Sequence, residues 1–118
     1  MVFIDLDTGT VASIRAEMLR VFEDDNYKLI SDADGEMEFE REATERDRVL
    51  YGRFGDNQLV IRVIATIEPR RKGGYLVRAD AYAIHDRSVE KLSFFARRPF
   101  QKLLNQVKAS QVSAAREP

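Results

Sequence analysis

The side chains of this chain that suit catalysis are few. His85 is the only histidine, with Asp86 beside it and Asp80 a few residues earlier. Histidine titrates near neutral pH and therefore suits acid–base work, but no nucleophile stands in a recognisable setting beside it. The chain has no cysteine, which excludes disulfides, thiolate metal sites and cysteine nucleophiles. The pattern favours an ordinary histidine at the end of a strand, and we expect no catalytic residue.

Alternating acidic residues raise the possibility of a calcium site, and they are Asp32, Asp34, Glu36 and Glu38. A calcium loop needs oxygen ligands in a fixed register around its glycine. Counting back from Gly35, Ile30 occupies the position of the first acidic ligand. We therefore expect a hairpin turn that leads into a solvated strand face, with no metal and no cofactor.

A compact basic segment, residues 70–74, reads Arg-Arg-Lys-Gly-Gly. It could contact a phosphate or an acidic partner. The paired glycines also suit a tight turn, with the charges as solvated gatekeepers between two hydrophobic strands, and we favour this structural interpretation. The net charge of −1, from 19 basic and 20 acidic residues, argues against a nucleic-acid binder.

Hydrophobic periodicity predicts the elements that must position these residues. Apolar residues at helical spacing predict a first helix over residues 10–24, after a lead-in at residues 1–8. Residues 44–47 are a polar connection. Alternation of apolar and polar residues predicts five strands, at residues 27–31, 36–42, 48–54, 58–68 and 75–85.

The C-terminal part is predicted to be helical. Residues 88–96 carry apolar side chains at helical spacing, but Pro99 interrupts them, because a proline inside a helix removes a hydrogen bond. Proline suits the first turn of a new helix. We predict a short helical segment, a break near Arg97 and Arg98, and a main helix to about Ser110. Residues 111–118 are predicted to be a frayed tail.

Short connections between the strands favour antiparallel neighbours. The order α-β-β-β-β-β-α therefore predicts one α+β domain over residues 1–118, a five-stranded antiparallel sheet packed by the N- and C-terminal helices. A chain of 118 residues is long enough to bury a core. No segment reaches the roughly 20 apolar residues that span a bilayer.

This order resembles the TBP-like, or helix-grip, group of folds. The segments Phe-Glu-Asp-Asp-Asn-Tyr-Lys at residues 22–28, Asp34-Gly35 and Glu-Phe-Glu at residues 38–40 also resemble small bacterial helix-grip modules of envelope lipoproteins. The resemblance covers most of the chain at the level of topology and carries over no functional residue. It implies a protein- or ligand-binding module rather than an enzyme.

Period-two alternation divides the side chains of the sheet between two faces. One is uniformly apolar. The other mixes charged and apolar residues: Glu38, Glu40, Val60, Arg62, Ile64, Leu76, Arg78, Asp80, Tyr82 and Ile84. The pattern leaves two interpretations open. One is an interface with a second copy or another partner, and the other is an ordinary solvent-exposed sheet face stabilised by cross-strand pairs. The candidate binding residues are Arg62, Arg78, Asp80, Tyr82 and His85.

We therefore expect a non-catalytic bacterial binding or assembly module that uses the open sheet face or a helix–sheet groove. The alternative is a carrier of a small apolar ligand, or an enzyme, with a pocket between the sheet and the C-terminal helix. Its candidate lining residues are Tyr51, Phe54, Phe94, Phe95 and Phe100. Residues 1–7 lack a signal-peptide pattern, so the cytoplasm is the default compartment, and the cell envelope is expected if a signal or lipid-anchor segment precedes them.

Overall fold

The computed structural model describes residues 1–33, 35–51, 59–85, 88–92 and 98–116. It confirms an α+β fold with an antiparallel sheet and a helix towards each end of the chain. The elements in chain order are β1 (Val2–Leu6), α1 (Val11–Asp24), β2 (Lys28–Ala33), β3 (Glu36–Glu42), α2 (Glu45–Tyr51), β4 (Val60–Pro69), β5 (Tyr75–His85), β6 (Ser88–Lys91) and α3 (Arg98–Arg116).

The six strands form one sheet in which every pairing is antiparallel. Five follow the order β1-β5-β4-β3-β2, and β6 also pairs with β5. Because β4 occupies one edge of β5, β1 and β6 share the other edge. β1 pairs with residues 75–79 and β6 with residues 82–85. The long strand β5 thus pairs with three other strands, β1, β4 and β6.

The expected lead-in at residues 1–8 is wrong, because Val2–Leu6 is strand β1. Its residues alternate between buried and exposed, with Val2, Ile4 and Leu6 in the core. The Nε2 amide of Gln101 donates to the carbonyl oxygen of Phe3 at 3.0 Å. The C-terminal helix therefore satisfies part of this sheet edge, which discourages pairing with another chain.

The expected strand at residues 48–54 is also wrong over residues 48–51, which belong to helix α2, and its remainder lies outside the described residues. The helix follows a capping box. The Thr44 backbone N–H donates to Asp47 Oδ2 at 2.9 Å, and the Asp47 N–H donates to Thr44 Oγ1 at 3.1 Å. These two bonds satisfy donors that the first turn of a helix leaves unpaired.

The short helix expected at residues 88–96 is wrong over residues 88–91, which form strand β6; residues 93–96 lie outside the described part. The register places His85 opposite Ser88 and Ile84 opposite Val89. Pairing with the free half of the β5 edge satisfies backbone groups of both strands, which outweighs the helical spacing of a few apolar residues. Val89 is 64% exposed and contributes no helical face.

Helix α3 begins at Arg98, as the position of Pro99 predicts, but it continues to Arg116. The predicted frayed tail is therefore wrong over residues 111–116. Gln111 is 5% exposed, and its Nε2 donates to the Ser13 carbonyl oxygen at 3.2 Å. Its Oε1 accepts from Ser13 Oγ at 3.3 Å. This buried amide joins the last turns of α3 to the first turn of α1.

Both long helices pack on one face of the sheet. The core there includes the inward residues of β1, β3, β4 and β5, and helix residues such as Met18, Phe22 and Leu104. The ring of Phe22 stacks on that of Phe39 with centroids 4.4 Å apart. The uniformly apolar face predicted from the sequence is this covered face. The opposite face, called the open face below, carries the even-numbered residues of β3, β4 and β5.

Candidate functional site

The open face consists of side chains that are partly or fully exposed along β3, β4 and β5. Within the described chain, the buried apolar residues of α1 and α3 all belong to the core on the other side. The register places Arg62 beside Tyr82 and Ile64 beside Asp80. Val60 lies beside Ile84. The apolar members Val60, Ile64, Tyr82 and Ile84 are therefore close neighbours, and Leu76 lies further along β5, beside Glu68.

Ion pairs run between these apolar residues. Arg62 Nη2 lies 2.7 Å from Glu40 Oε2, with both side chains about one-third exposed. Arg78 Nε lies 3.6 Å from Glu68 Oε2. Asp80 Oδ1 lies 3.5 Å from Lys91 Nζ. Exposed pairs of this kind stabilise a fold by about 0–1 kcal/mol each, so they orient charges on the surface more than they hold the sheet together.

Two exposed apolar residues extend the open face, and sequence reasoning missed both. Phe3, 51% exposed, lies opposite Arg78, and Val89, 64% exposed, lies opposite Ile84. The signal for Phe3 was present, because it stands between Val2 and Ile4 in an alternating segment. Val89 was hidden by its apparent helical spacing. The apolar residues of the open face, called the apolar band below, therefore come from β1, β4, β5 and β6.

One margin of the open face is acidic. The outward residues of β3 are four glutamates at every second position: Glu36, Glu38, Glu40 and Glu42. Only Glu40 has an ion pair to a described residue, with Arg62. Side chains on one face of a strand are about 7 Å apart. Three closely spaced carboxylates of this margin therefore have no ion pair to a described residue.

His85 lies on the covered face, away from the other four candidate residues. It is 7% exposed and ends β5. Its Nε2 lies 3.3 Å from Glu90 Oε2 on the neighbouring strand. The structure thus brings four of the five candidate residues together on the open face and places His85 on the covered face. The four are Arg62, Arg78, Asp80 and Tyr82.

The first residue of the basic loop, Arg70, has a structural role. The Arg70 guanidinium contacts Asp7 and lies 3.3 Å from Asp5 Oδ1, which ties the β4–β5 turn to the end of β1. Its Nε also donates to the Gly73 carbonyl oxygen at 3.0 Å. The hydrogen bond and charge of Arg70 hold the pKa of the Asp7 carboxyl below its usual value. Arg71 and Lys72 remain exposed.

The acidic hairpin contains an ion pair among its described residues. Asp32 contacts Arg15 of α1. No group of three or more potential ligands among the described residues has the geometry to hold a metal ion. Asp34 lies outside the described part of the chain.

The described residues between the sheet and α3 pack into the hydrophobic core. Phe100 is 4% exposed, and Leu104 and Val107 are fully buried. The other aromatic side chains expected to line a pocket there, those of Tyr51, Phe54, Phe94 and Phe95, lie outside what the structure describes.

The chain matches no known protein-family model, and no curated protein is significantly similar to it in sequence. Over the described residues, no helix is both long enough and apolar enough to cross a membrane. The candidate site therefore rests on geometry. It offers apolar area, ordered charges and an acidic margin.

Proposed function

We propose that this protein is a non-catalytic binding or assembly module that presents the open face to a protein partner. The observation that carries the proposal is the unequal covering of the sheet. Two helices bury one face, while the other keeps an apolar band with Phe3 and Val89 more than half exposed. Exposed apolar residues gathered on one face of a sheet are typical of an interaction surface.

The composition of the open face favours a protein over a small molecule as its occupant. Aliphatic and aromatic side chains lie in the middle, and charged residues surround them, as in protein interfaces with an apolar core and a polar rim. A sheet face with several adjacent strands also suits the roughly 800 Å² that each partner of a stable complex buries. The resemblance to helix-grip modules favours the same class of function.

The charge of the margin indicates the chemistry of the partner. Glu36, Glu38 and Glu42 have no ion pair to any described residue. A partner with basic residues beside an apolar centre would neutralise them, which speeds association and fixes orientation. We therefore propose a partner segment that alternates or interleaves apolar and basic residues.

Isothermal titration calorimetry with a synthetic peptide of alternating leucine and lysine tests this chemistry. We expect saturable binding that weakens at least about tenfold in Tyr82→Ala and in Glu38→Lys, because each removes a contact worth on the order of 1.4 kcal/mol. Glu23→Lys on α1 is the matched control, since it makes the same change in net charge at an exposed position away from the open face. We expect its affinity to stay within about twofold of wild type.

Two results would overturn the proposal. One is the absence of saturable binding together with a strict monomer in native mass spectrometry. The other is an equal loss of affinity in Glu38→Lys and Glu23→Lys, which would reduce the interaction to non-specific attraction. A dimer abolished by Tyr82→Ala would keep the open face as the interface and identify the partner as a second copy.

A further inference from the structure

A concave site lies between α2 and the first turns of α3, away from the open face. It has a volume of about 560 Å³. The lining of this α2–α3 groove includes four cations, Arg41, Arg46, Arg98 and Lys102, and two carboxylates, Asp25 and Asp47. Pro99 and Leu103 form an apolar wall. Its volume falls within the roughly 300–1,000 Å³ of small-ligand sites.

The charges in the groove are unevenly paired. Arg41 is neutralised by Asp25 at 2.8 Å and Asp47 at 3.1 Å. Arg46, Arg98 and Lys102 have no hydrogen bond or ion pair to any described residue. Most arginines with described side chains do have carboxylate partners: Arg15, Arg20, Arg41, Arg62, Arg70 and Arg78. Three cations whose side chains have no partner among the described residues thus line one cavity.

The elements aim these cations at a common space. Arg98 and Lys102 stand four residues apart on α3, so they share one side of the helix. Arg46 approaches from α2, on the other side of the groove. The groove also meets the amino-terminal end of a 19-residue helix, whose dipole favours negative charge there. Arg41 is 14% exposed and held by two carboxylates, so it is a fixed part of the wall.

We propose that the α2–α3 groove binds the phosphate group of a small ligand. Two guanidinium groups and an ammonium group supply planar forks and a point charge, the donors that suit a compact dianion. The apolar wall of Pro99 and Leu103 suits the uncharged body of such a ligand. A nucleic acid fits less well, because the chain as a whole carries a net charge of −1.

This site is independent of the proposed function, because none of the open-face candidates lines it. A partner bound to the open face would leave it accessible. The two proposals can therefore fail separately, and the phosphate proposal needs its own probe and its own variants.

NMR titration of ¹⁵N-labelled protein with inorganic pyrophosphate at low ionic strength is the test. We expect saturable shifts confined to the amides of α2 and the first turns of α3. The double variant Arg98→Gln/Lys102→Gln should bind at least about tenfold more weakly, since it removes two charge-assisted contacts. Both side chains are exposed, so the variant should keep its fold, which its NMR spectrum checks directly.

The matched control is Arg71→Gln/Lys72→Gln, which removes the same charge from the exposed β4–β5 loop and should leave the affinity within about twofold. Equal weakening by the two double variants, or no saturable shift in wild type, would overturn the proposal. A glutamate tripeptide of comparable charge tests the ligand class. Binding as tight as that of pyrophosphate would overturn the assignment of phosphate, and weaker binding supports it.

Discussion

Replacing Arg41 by methionine should destabilise the fold more than any other single loss of an arginine charge on the sheet. Arg41 on β3 joins three parts of the molecule. Its Nη1 lies 2.8 Å from Asp25 Oδ2 after α1, and its Nη2 lies 3.1 Å from Asp47 Oδ2 on α2. Its guanidinium also lies 4.7 Å from the centre of the Tyr27 ring.

The magnitude follows from burial. The side chain of Arg41 is 14% exposed and that of Asp47 is 9% exposed. Removing one partner of a buried pair leaves an uncompensated charge and costs about 3–5 kcal/mol. Asp47 keeps the hydrogen bond from the Thr44 N–H, and Asp25 is 46% exposed, which lowers the expected loss to about 2–4 kcal/mol. Methionine keeps most of the apolar stem that packs near Tyr27.

Arg62→Met is the matched control. Arg62 also lies on the sheet and pairs with a glutamate at 2.7 Å, but the two side chains are 35% and 29% exposed. An exposed pair contributes about 0–1 kcal/mol. Urea unfolding of both variants measures the difference. Equal losses in free energy of unfolding would refute the claim that burial sets the cost.

A double variant sharpens this test. In Arg41→Met/Asp47→Asn the buried carboxylate is neutral, so the uncompensated charge is gone. We expect the double variant to be more stable than the sum of the two single losses, with a coupling of about 1–2 kcal/mol. Simple additivity would show that Arg41 and Asp47 contribute independently, contrary to the contact described above.

Three further predictions concern other contacts. Gln111→Ala should lower the free energy of unfolding by about 1–3 kcal/mol, because it removes two hydrogen bonds at a buried site. Gly74→Ala should cost more than Gly73→Ala, about 2–3 against about 1 kcal/mol, because both have positive φ but only Gly74 would place a Cβ against the backbone oxygen of Leu6. NMR titration of the Asp7 carboxyl should give a pKa below its usual value, and Arg70→Gln should raise that pKa.

Each of these has a contrary outcome. Ser113→Ala, on an exposed position of the same helix turn, should be nearly neutral; an equally small loss for Gln111→Ala would mean that the end of α3 is not packed. Equal costs for the two glycine variants would show that backbone strain alone matters. The contact between Asp7 and Arg70 should stabilise the fold at pH values above the usual pKa of Asp7. This stabilisation should be lost as the pH falls through the lowered pKa of Asp7. An Asp7 pKa unchanged by Arg70→Gln would show that the contact does not persist in solution.

Hydrophobic periodicity predicted the long elements of this fold well. Strand β4 alternates over its whole length, so Ile61 and Val63 were assigned to the core and Arg62 to the opposite face, as found. Helix α1 likewise buries Ile14 and Met18 at the expected spacing. Long segments average over many residues, and a single polar or apolar exception does not change their period.

Short elements were decided by local bonds that periodicity does not describe. The Thr44-x-x-Asp47 spacing is a capping signal that predicts the start of α2. Its polar residues are equally typical of a connection, which is the prediction made above. β6 forms because β5 leaves half an edge free, which is a tertiary fact. Gln111 is a polar residue near the chain end, and only the position of Ser13 on α1 explains its burial.

The candidate site was predicted in part for the same reasons. Arg62, Arg78, Asp80 and Tyr82 share the open face because β4 and β5 pair without a register shift. His85 has the opposite parity to Tyr82 and therefore faces the core. The α2–α3 groove was not predicted at all. Arg46 lies in residues 44–47, which were expected to be a polar connection, and Arg98 and Lys102 lie on a helix far away in sequence.

The central claim is that the open face is the interaction surface, and mapping by ¹H–¹⁵N NMR tests it most directly. Titration with the leucine–lysine peptide should shift the amides of β4 and β5 around Ile64 and Tyr82 and leave those of α1 unchanged. The same titration of Tyr82→Ala should give smaller shifts at equal peptide concentration. Shifts concentrated on α1 and α3, with β4 and β5 silent, would contradict the account.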